Sequence, residues 1–379
     1  MKLLHLSDLH IGKKLKEYSM LDEQKHILSR ICDICDEKDI ECVVIAGDVY
    51  DKSVPPTEAV QAFDEFIYRL YAKKIPVLII SGNHDSPERL SFGGRVMTAG
   101  GIHIVPAYNG EVNTVTLNDK FGEVIFHLLP FVKPVNVRRF FPDKNIESCN
   151  DAVAAILGDI RLDESKRNVL VAHQFVTGSQ LSQSEELYIG GEENIDGGLF
   201  SAFDYAALGH IHRPQYVGDK KIRYCGSLLK YHIEEANREK TITIAEIGEK
   251  GDLKIEELPV TPLHDVRSYK GSFEKLTDKT FYANVNTDDY VYITLTDEAD
   301  VPDAARKLKK IYPNLLQLLY DNSRTAAEGT IKMTAVPEKQ PPIGIFSDFF
   351  EMQCLHKMSD EQNEVMQSLI KSVWEEEIE

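Results

Sequence analysis

The sequence predicts an α/β fold, in which strands alternate with helices and a sheet is covered on both faces. A short apolar run at 2–7 precedes a segment with helical spacing at 21–38. The pattern recurs with a buried-strand run at 42–46, a second helical segment at 57–70 and another apolar run at 76–80. Chains that alternate in this way form sheets with helices on both sides, and functional residues collect at the carboxyl ends of the strands. We therefore expect polar residues at these ends to be functional.

The remaining elements divide the chain into three predicted regions. Apolar runs at 124–129, 168–172 and 205–208 extend the first region. After residue 262 the pattern changes to a small unit with a predicted strand, a basic helix and a strand, at 290–296, 304–311 and 315–320. The polar, proline-containing stretch at 325–342 has the composition of a linker. We place a catalytic domain at 1–262, a small α+β capping domain at 263–335, and a linker with C-terminal helices at 336–379.

A terminal helix is predicted to begin at Ser359, where Gln362 completes a capping box. Its apolar residues fall on one stripe, consisting of Met366, Leu369, Ile370, Val373 and Trp374. Such a stripe fits a groove on a partner protein. A helix that packs on its own domain would carry the same stripe.

Composition favours a protein of the cytoplasm and complicates a nucleic-acid partner. No stretch approaches the roughly 20 apolar residues that a membrane helix requires, and no leader pattern follows Met1. Six scattered cysteines favour reduced thiols. The net charge of −18 opposes binding to phosphates, although basic clusters such as 306–310 can act locally. This cluster is either a DNA contact or a solvated helix face.

Residue types that bind metals follow five of the predicted strands. In order along the chain, these strand ends carry Asp8 with His10, Asp48, Asn83 with His84 and Asp85, His173, and His210 with His212. Carboxylate, amide and imidazole donors suit Mn²⁺, Fe²⁺ or Zn²⁺, and the absence of cysteine from the set argues against a structural zinc site. A bridging carboxylate can hold two such ions about 3.5–4 Å apart, which suits in-line hydrolysis of a phosphoester.

The ordered motifs D-x-H, G-D, G-N-H-D, H and G-H-x-H resemble the calcineurin-like metallophosphoesterase superfamily. This resemblance implies a four-layer α-β-β-α sandwich. It also implies that one metal is held by Asp8, His10, Asp48 and His212, and the other by Asp48, Asn83, His173 and His210. In the same pattern, His84 would assist the leaving oxygen and Asp85 would orient the ring of His84.

The residues in and around the motifs are similar to those of SbcD-type nucleases. The similarity lies in the stretches 1–13, 47–51, 81–90, 206–215 and 223–227. It implies an enzyme with two Mn²⁺ ions, with Mg²⁺, Fe²⁺ and Zn²⁺ as alternatives, that acts as a 3′-to-5′ exonuclease on double-stranded ends and as an endonuclease on hairpins and single strands. The family usually has proline at Leu228 and a shorter polar pair at His232-Ile233.

The same similarity implies partners. These are DNA, the SbcC ATPase with its long coiled coil, and a second copy of the chain in a homodimer. The capping domain would contact DNA, with Arg306, Lys309 and Lys310 as candidates, and the terminal helices would bind the ATPase.

Three other functions remain open at this point. A stand-alone phosphatase or small-molecule phosphodiesterase would use the same metals, although it has no evident need for the residues after the catalytic domain. A scaffold that has lost catalysis is a second alternative, which the intact ligand set disfavours. Handling of single-stranded DNA without SbcC is the third. We expect His5 and His127, which lie within strands, to be structural, and Cys32 and Cys35 to be helix core residues.

Overall fold

The computed structural model describes residues 1–180, 194–299, 301–322, 343, 346–347, 350 and 357–376. It contains two six-stranded sheets, which supply the inner layers of the fold. Residues 1–105 form strands β1 to β6 and helices α1 to α4, in the order β1 Lys2–Leu6, β2 Lys14–Leu15, β3 Tyr18–Ser19, α1 Leu21–Glu37, β4 Cys42–Ala46, α2 Thr57–Ala72, β5 Val77–Ile80, α3 Pro87–Leu90, α4 Gly94–Thr98 and β6 Ile102–Val105. The expected alternation of strands and helices is confirmed.

The second sheet is built mainly from the elements that follow. These are β7 Asn113–Asp119, β8 Gly122–Leu129, α5 Pro134–Arg138, α6 Cys149–Leu157, β9 Arg167–His173, β10 Tyr205–Gly209, β11 Gln215–Val217 and β12 Asp219–Tyr224, with a 3-10 turn at Gly197–Phe200. A second 3-10 turn, Ile233–Glu235, leads to β13 Thr241–Ile247 and β14 Leu253–Pro259, which return to the first sheet. The strand orders are β14-β13-β1-β4-β5-β6 and β11-β12-β10-β9-β8-β7.

Alternation of side chains along the strands creates three packed layers of apolar residues. In β1, Leu4 and Leu6 belong to the cluster that contains α1 and α2, whereas Leu3 belongs to the cluster shared by the two sheets. The outer face of the second sheet packs on α6 through residues such as Val153 and Leu170. Because successive strand residues point to opposite faces, each sheet can bury both of its faces. The result is the expected four-layer α-β-β-α sandwich.

Two buried histidines inside the strands are structural, as expected. Nδ1 of His5 lies 2.8 Å from the Tyr205 hydroxyl, and Nε2 of His127 lies 3.0 Å from Oδ1 of Asn168. Burial lowers the pKa of His5 to about 3. Its ring therefore stays neutral in the folded protein near neutral pH.

After β14 the chain forms a three-stranded sheet in the order β15-β16-β17. Its elements are β15 Val266–Gly271, α7 Phe273–Thr277, α8 Lys279–Tyr282, β16 Tyr290–Leu295, α9 Ala304–Lys309 and β17 Leu315–Tyr320. The predicted strand-helix-strand unit is confirmed, whereas β15 and the helices α7 and α8 were not predicted. The three-domain division remains a prediction.

The chain forms two compact units, and the second contains the terminal helix α10, Asp360–Glu376. The predicted capping box is confirmed, because Ser359 N donates to Oε1 of Gln362 at 2.9 Å and Gln362 N donates to Ser359 Oγ at 3.2 Å. On the stripe, the side chain of Leu369 is 50% exposed, and those of Val373 and Trp374 lie outside the described residues, as does the predicted linker at 325–342. No helix in the described part of the chain is long and apolar enough to span a membrane.

Candidate metal centre

The five strands that carry the sequence motifs end at one place. β1, β4 and β5 are parallel neighbours in the first sheet, and β9 and β10 are parallel neighbours in the second. Parallel neighbours present their carboxyl ends at the same edge of a sheet. The side chains that follow these strands therefore gather where the two sheets face each other.

The backbone at this edge departs from ordinary strand geometry. Asp8, His10, Asp48 and His210 have positive φ angles of 52°, 44°, 51° and 101°. Such conformations are unfavourable for residues with side chains and persist where the surrounding structure enforces them. Here Asp8 N donates to the Gly47 carbonyl and His10 N donates to the Asp48 carbonyl, at 3.1 and 3.0 Å. These bonds tie the ends of β1 and β4 together.

Three glycines allow the close approach of these strand ends. A Cβ atom on Gly82 would lie 2.1 Å from Oδ1 of Asp48, and one on Gly47 would lie 2.3 Å from Nδ1 of His173. A Cβ atom on Gly209 would lie 1.9 Å from the Ala46 carbonyl oxygen. The glycines of the motifs are therefore required by packing around the polar side chains.

One group of donors contains Asp8, His10 and His212, each with a ligand atom within 4.8 Å of the others. Nε2 of His10 and Nε2 of His212 are only 3.1 Å apart. The Asp8 carboxylate accepts from the Ser7 hydroxyl and from the His210 backbone N–H. All of the imidazole and carboxylate groups in this set are buried.

The second group of donors surrounds Asn83. Its Oδ1 lies 3.0 Å from Nε2 of His173 and 3.1 Å from Nδ1 of His210. Asp48 lies between the two groups, because its Oδ2 is 3.3 Å from Nε2 of His173 and 3.7 Å from Nε2 of His10. The structure thus brings together all seven residues that the sequence proposed as ligands.

Burial and mutual charge set the protonation of this cluster. Burial raises the pKa of Asp8, and burial also lowers the pKa of His210 to about 3 and that of His10 well below its ordinary value. Against the effect of burial, the neighbouring Asp48 raises the pKa of His173 to about 9, and His173 in turn holds the pKa of Asp48 low. Neutral rings at His10 and His210 keep lone pairs that a cation can use.

His84 lies at the mouth of the cluster, with a side chain that is 20% exposed. Its backbone N–H donates to Oδ1 of Asp48 at 2.9 Å, and its Nδ1 lies 3.0 Å from the Asp51 carbonyl oxygen. Nε2 lies 4.0 Å from Oδ2 of Asp48. Because a carbonyl only accepts, Nδ1 carries the proton, and the other ring nitrogen faces the site.

The family of the chain can be stated once this geometry is compared with known proteins. The calcineurin-like phosphoesterase family matches residues 1–214. The SbcD subunit of the SbcCD nuclease of Staphylococcus epidermidis is 31% identical over 384 residues, which cover 100% of each chain. This chain belongs to the SbcD family of calcineurin-like phosphoesterases. A second family, the type 5 capsule protein repressor C-terminal domain, matches residues 262–353.

Solved structures are also similar to this SbcD-family chain. The TT1561 protein of Thermus thermophilus is 11% identical with a TM-score of 0.39, and it covers 68% of this chain and 98% of its own. A dimetal phosphatase from Danio rerio is 13% identical with a TM-score of 0.38, and it covers 69% and 98% of the two chains. The family assignment rests on the sequence matches.

One predicted role in the SbcD-family site is corrected by the structure. The Asp85 carboxylate accepts from the backbone N–H groups of Gly82 at 2.9 Å, Tyr50 at 3.0 Å and Val49 at 3.2 Å. The ring of His84 is instead oriented by the Asp51 carbonyl. Asp85 therefore holds the turn after β5 against the turn after β4, and the prediction that it orients His84 was wrong.

Several residues next to the cluster were not predicted from the sequence. Gln24 on α1 donates to the His10 carbonyl at 2.7 Å, and the Tyr231 hydroxyl donates to the Leu9 carbonyl at 2.7 Å. Glu235 and Lys240 lie behind His212. Of these residues, only Gln24 could have been found from the sequence, because it is a polar residue at an apolar position of the helical pattern of α1.

The predicted DNA-contact and partner residues lie in other elements. Arg306, Lys309 and Lys310 are exposed at α9, and Arg306 is bonded to Asp303 at 2.9 Å. Met366 and Ile370 on α10 are partly exposed. Their roles remain predictions.

Proposed function

We propose that this protein is a DNA nuclease that hydrolyses phosphodiesters with two divalent metal ions, as the nuclease subunit of an SbcCD-type repair complex. The observation that carries the proposal is the position of the Asp48 carboxylate, 3.3 Å from His173 and 3.7 Å from His10. A carboxylate between two sets of nitrogen and oxygen donors is suited to bridge a pair of ions. The name of the S. epidermidis relative, a nuclease subunit, supports the proposal.

The donor set fits the metals that the proposal requires. Asp8, His10, Asp48 and His212 would hold one ion, and Asp48, Asn83, His173 and His210 would hold the other. The Nε2 atoms of His10 and His212 lie 3.1 Å apart, so when neither carries a proton both lone pairs face the same point, which a cation stabilises. Mixed imidazole and carboxylate donors suit Mn²⁺, with Mg²⁺, Fe²⁺ and Zn²⁺ as alternatives. Bound ions would polarise the phosphoryl oxygens and lower the pKa of water in the site.

His84 is the residue that we assign to proton transfer. Its Nδ1–H is fixed by the Asp51 carbonyl, and its partial exposure leaves Nε2 accessible to substrate. In this orientation Nε2 can hold a proton for the oxygen that leaves the phosphorus. The buried Asp85 contributes by fixing the turn that carries His84, through its bonds to Gly82, Val49 and Tyr50.

DNA is the proposed substrate, despite the net charge of −18. The bound cations would offset part of the negative charge at the site, and the exposed α9 residues Arg306, Lys309 and Lys310 would contact phosphates. The specific activities that we propose are 3′-to-5′ exonuclease on double-stranded ends and endonuclease on hairpins and single strands. The capping domain at 263–335 would carry the DNA contacts.

The proposed partners are an SbcC-type ATPase and a second copy of this chain, in the cytoplasm. The terminal region supports the first, because Met366, Leu369 and Ile370, the stripe residues whose side chains are described, are at least partly exposed, and α10 has a well-formed N-terminal cap. Deletion of residues 343–379 should abolish association with the ATPase while metal-dependent hydrolysis of a small ester persists. Retained association after the deletion would refute the proposed role of the stripe.

The proposed activity is tested by hydrolysis of a labelled linear duplex and of bis-p-nitrophenyl phosphate, with and without Mn²⁺. We expect metal-dependent shortening of the duplex by the wild type and a loss of about 10²–10⁴-fold in His84→Ala, the usual contribution of a proton-transfer group. His103→Ala is the control, since it removes a partly buried histidine at β6. Hydrolysis of the small ester alone would favour the small-molecule phosphodiesterase.

The ligand assignment has its own test. Asp8→Ala, Asp48→Ala and His173→Ala should each abolish hydrolysis and remove bound metal, whereas His84→Ala should keep the metal. Wild-type activity in Asp48→Ala would refute the two-metal assignment.

A further inference from the structure

Glu235 and Lys240 form a buried ion pair directly behind one of the proposed ligands, His212. The side chains of the pair are only 2% and 6% exposed, and Lys240 Nζ lies 3.0 Å from Oε2 of Glu235. Oε1 of Glu235 lies 3.5 Å from Nδ1 of His212. Nothing in the proton-transfer or ligand roles above uses this pair.

The orientation of the His212 ring gives the carboxylate a function. Nε2 of His212 points toward the donor cluster, where it meets Nε2 of His10 at 3.1 Å. A neutral imidazole that offers its Nε2 lone pair must carry its proton on Nδ1. The nitrogen that must be protonated is therefore the one that faces Glu235.

Lys240 links the Glu235 carboxylate to the backbone of His212. Its ammonium donates to the His212 carbonyl at 2.9 Å and to the Ser227 hydroxyl at 2.7 Å, as well as to Glu235. Oε2 of Glu235 also accepts from the Tyr231 backbone N–H at 2.9 Å. Two donors thus hold Oε2 of Glu235, while Oε1 faces the His212 ring.

A second histidine has a similar but more open arrangement. Nδ1 of His10 lies 3.7 Å from Oδ1 of Asp51, and Lys13 lies 2.7 Å from the same oxygen. The Lys13 and Asp51 side chains are 20% and 14% exposed, so water can compete for them. The pair behind His212 is the better shielded of the two, and a shielded charge acts more strongly on its neighbours.

We propose that Glu235 and Lys240 are positioning residues that fix the proton of His212 on Nδ1 and aim its Nε2 into the metal site. This inference rests on the proposed two-metal function. A buried ion pair contributes little to stability compared with apolar residues of similar size, which favours a role in positioning. Carboxylates behind ligand histidines orient the ring and raise its affinity for metal.

Glu235 is the last residue of a short turn that follows Leu228 in the chain. His232 and Ile233 begin the 3-10 turn Ile233–Glu235, in which the His232 side chain accepts from the Glu234 backbone N–H at 3.4 Å. Leu228 is buried in the apolar cluster of the first sheet. This turn carries Glu235 to His212.

The sharpest test is Glu235→Gln in the full-length protein. Both carboxylate oxygens of Glu235 face donor groups, Oε1 toward His212 and Oε2 toward Lys240 and the Tyr231 N–H, whereas a glutamine amide has only one oxygen that can accept. Either the amide NH₂ faces Nδ1–H of His212, or it faces Lys240 and the Tyr231 N–H. We expect Mn²⁺ affinity at one of the two sites to fall by about 10–100-fold, measured by calorimetry and by the Mn²⁺ electron paramagnetic resonance signal. The other site should be unchanged, and added Mn²⁺ should restore hydrolysis.

Two further variants separate positioning from folding. The double variant Glu235→Gln with Lys240→Met removes both buried charges, so it should unfold at a temperature near that of the wild type and still bind Mn²⁺ weakly. Asp265→Asn is the control, because it breaks the neighbouring Lys230–Asp265 pair, whose atoms are 2.8 Å apart, in the same region. It should change thermal stability and leave Mn²⁺ affinity unaltered.

The outcomes distinguish the inference from the proposed function. If the wild type binds two Mn²⁺ ions and the Glu235 variants bind both with unchanged affinity, the positioning role is refuted while the two-metal function stands. If the wild type does not bind two ions, the proposed function fails and this inference fails with it. Equal loss of affinity in Asp265→Asn would also overturn the inference, because it would indicate general loosening of the segment.

Discussion

Replacement of Gly82 by alanine should inactivate the enzyme through the position of Asp48. A Cβ atom at Gly82 would lie 2.1 Å from Oδ1 of Asp48 and 2.5 Å from its backbone nitrogen. Rotation of the carboxylate relieves only the first overlap. The distance between the new Cβ atom and the Asp48 backbone nitrogen must increase by about 0.9 Å to reach an ordinary contact of 3.4 Å, so the backbone at one of the two residues must move. Because a displacement of about 1 Å at a reacting centre costs about 10²-fold in rate, we expect a loss of that size.

The assay is steady-state hydrolysis of bis-p-nitrophenyl phosphate at saturating Mn²⁺, with thermal unfolding measured on the same samples. Gly94→Ala is the matched control, since a Cβ atom there would meet nothing closer than Cβ of Ile104 at 4.0 Å. Gly94→Ala should keep its activity. A folded Gly82→Ala protein with activity within about threefold of the wild type would refute the argument that Gly82 is required for the position of Asp48.

Three further predictions concern stability and DNA binding. Burial lowers the pKa of His5 from 6.5 to about 3, so the neutral ring stabilises the fold fully above pH 6.5 and this contribution is lost as the pH falls toward 3. The difference in unfolding free energy between His5→Asn and the wild type, measured with urea, should therefore change by about 2 kcal/mol between about pH 7.5 and about pH 5. The same pH dependence of stability in the two proteins would contradict this. Asp85→Ala should destabilise the protein by about 3 kcal/mol or more, because three backbone N–H groups lose their acceptor, and a urea midpoint equal to that of the wild type would contradict the assignment. Replacement of Arg306, Lys309 and Lys310 by glutamine should reduce the slope of log DNA affinity against log salt by up to about 2.7, as measured by fluorescence anisotropy, and an unchanged slope would exclude the contact.

Local patterns in the sequence were sufficient for the alternation of strands and helices and for the metal-binding residue types at the strand ends, whereas the four-layer sandwich and the ligand sets came from the family resemblance. Helical spacing predicted α1, which begins at Leu21, and the reciprocal bonds of Ser359 and Gln362 followed from a four-residue motif. The polar strand ends were predictive because parallel strands must deliver their carboxyl ends to one edge. Each of these inferences uses residues that are close together in the chain.

The roles of carboxylates around the site depended on tertiary structure. Asp85 is adjacent to His84 in sequence, yet its carboxylate accepts from the backbone after β4. The His84 ring is hydrogen-bonded to the Asp51 carbonyl instead. The choice is set by where the turn after β4 lies, which residues 82–85 alone do not encode.

The sequence by itself determined the alternating α/β architecture, the family and the order of the metal-binding residue types. Only the tertiary structure decided which groups hold those residues in place. Lys240 reaches the His212 carbonyl across 28 positions of the chain, and the Tyr231 hydroxyl reaches the Leu9 carbonyl across 222. The physical reason is that periodicity and motif spacing report local conformation, whereas a buried donor selects its acceptor from whatever the packed strands bring within about 3 Å.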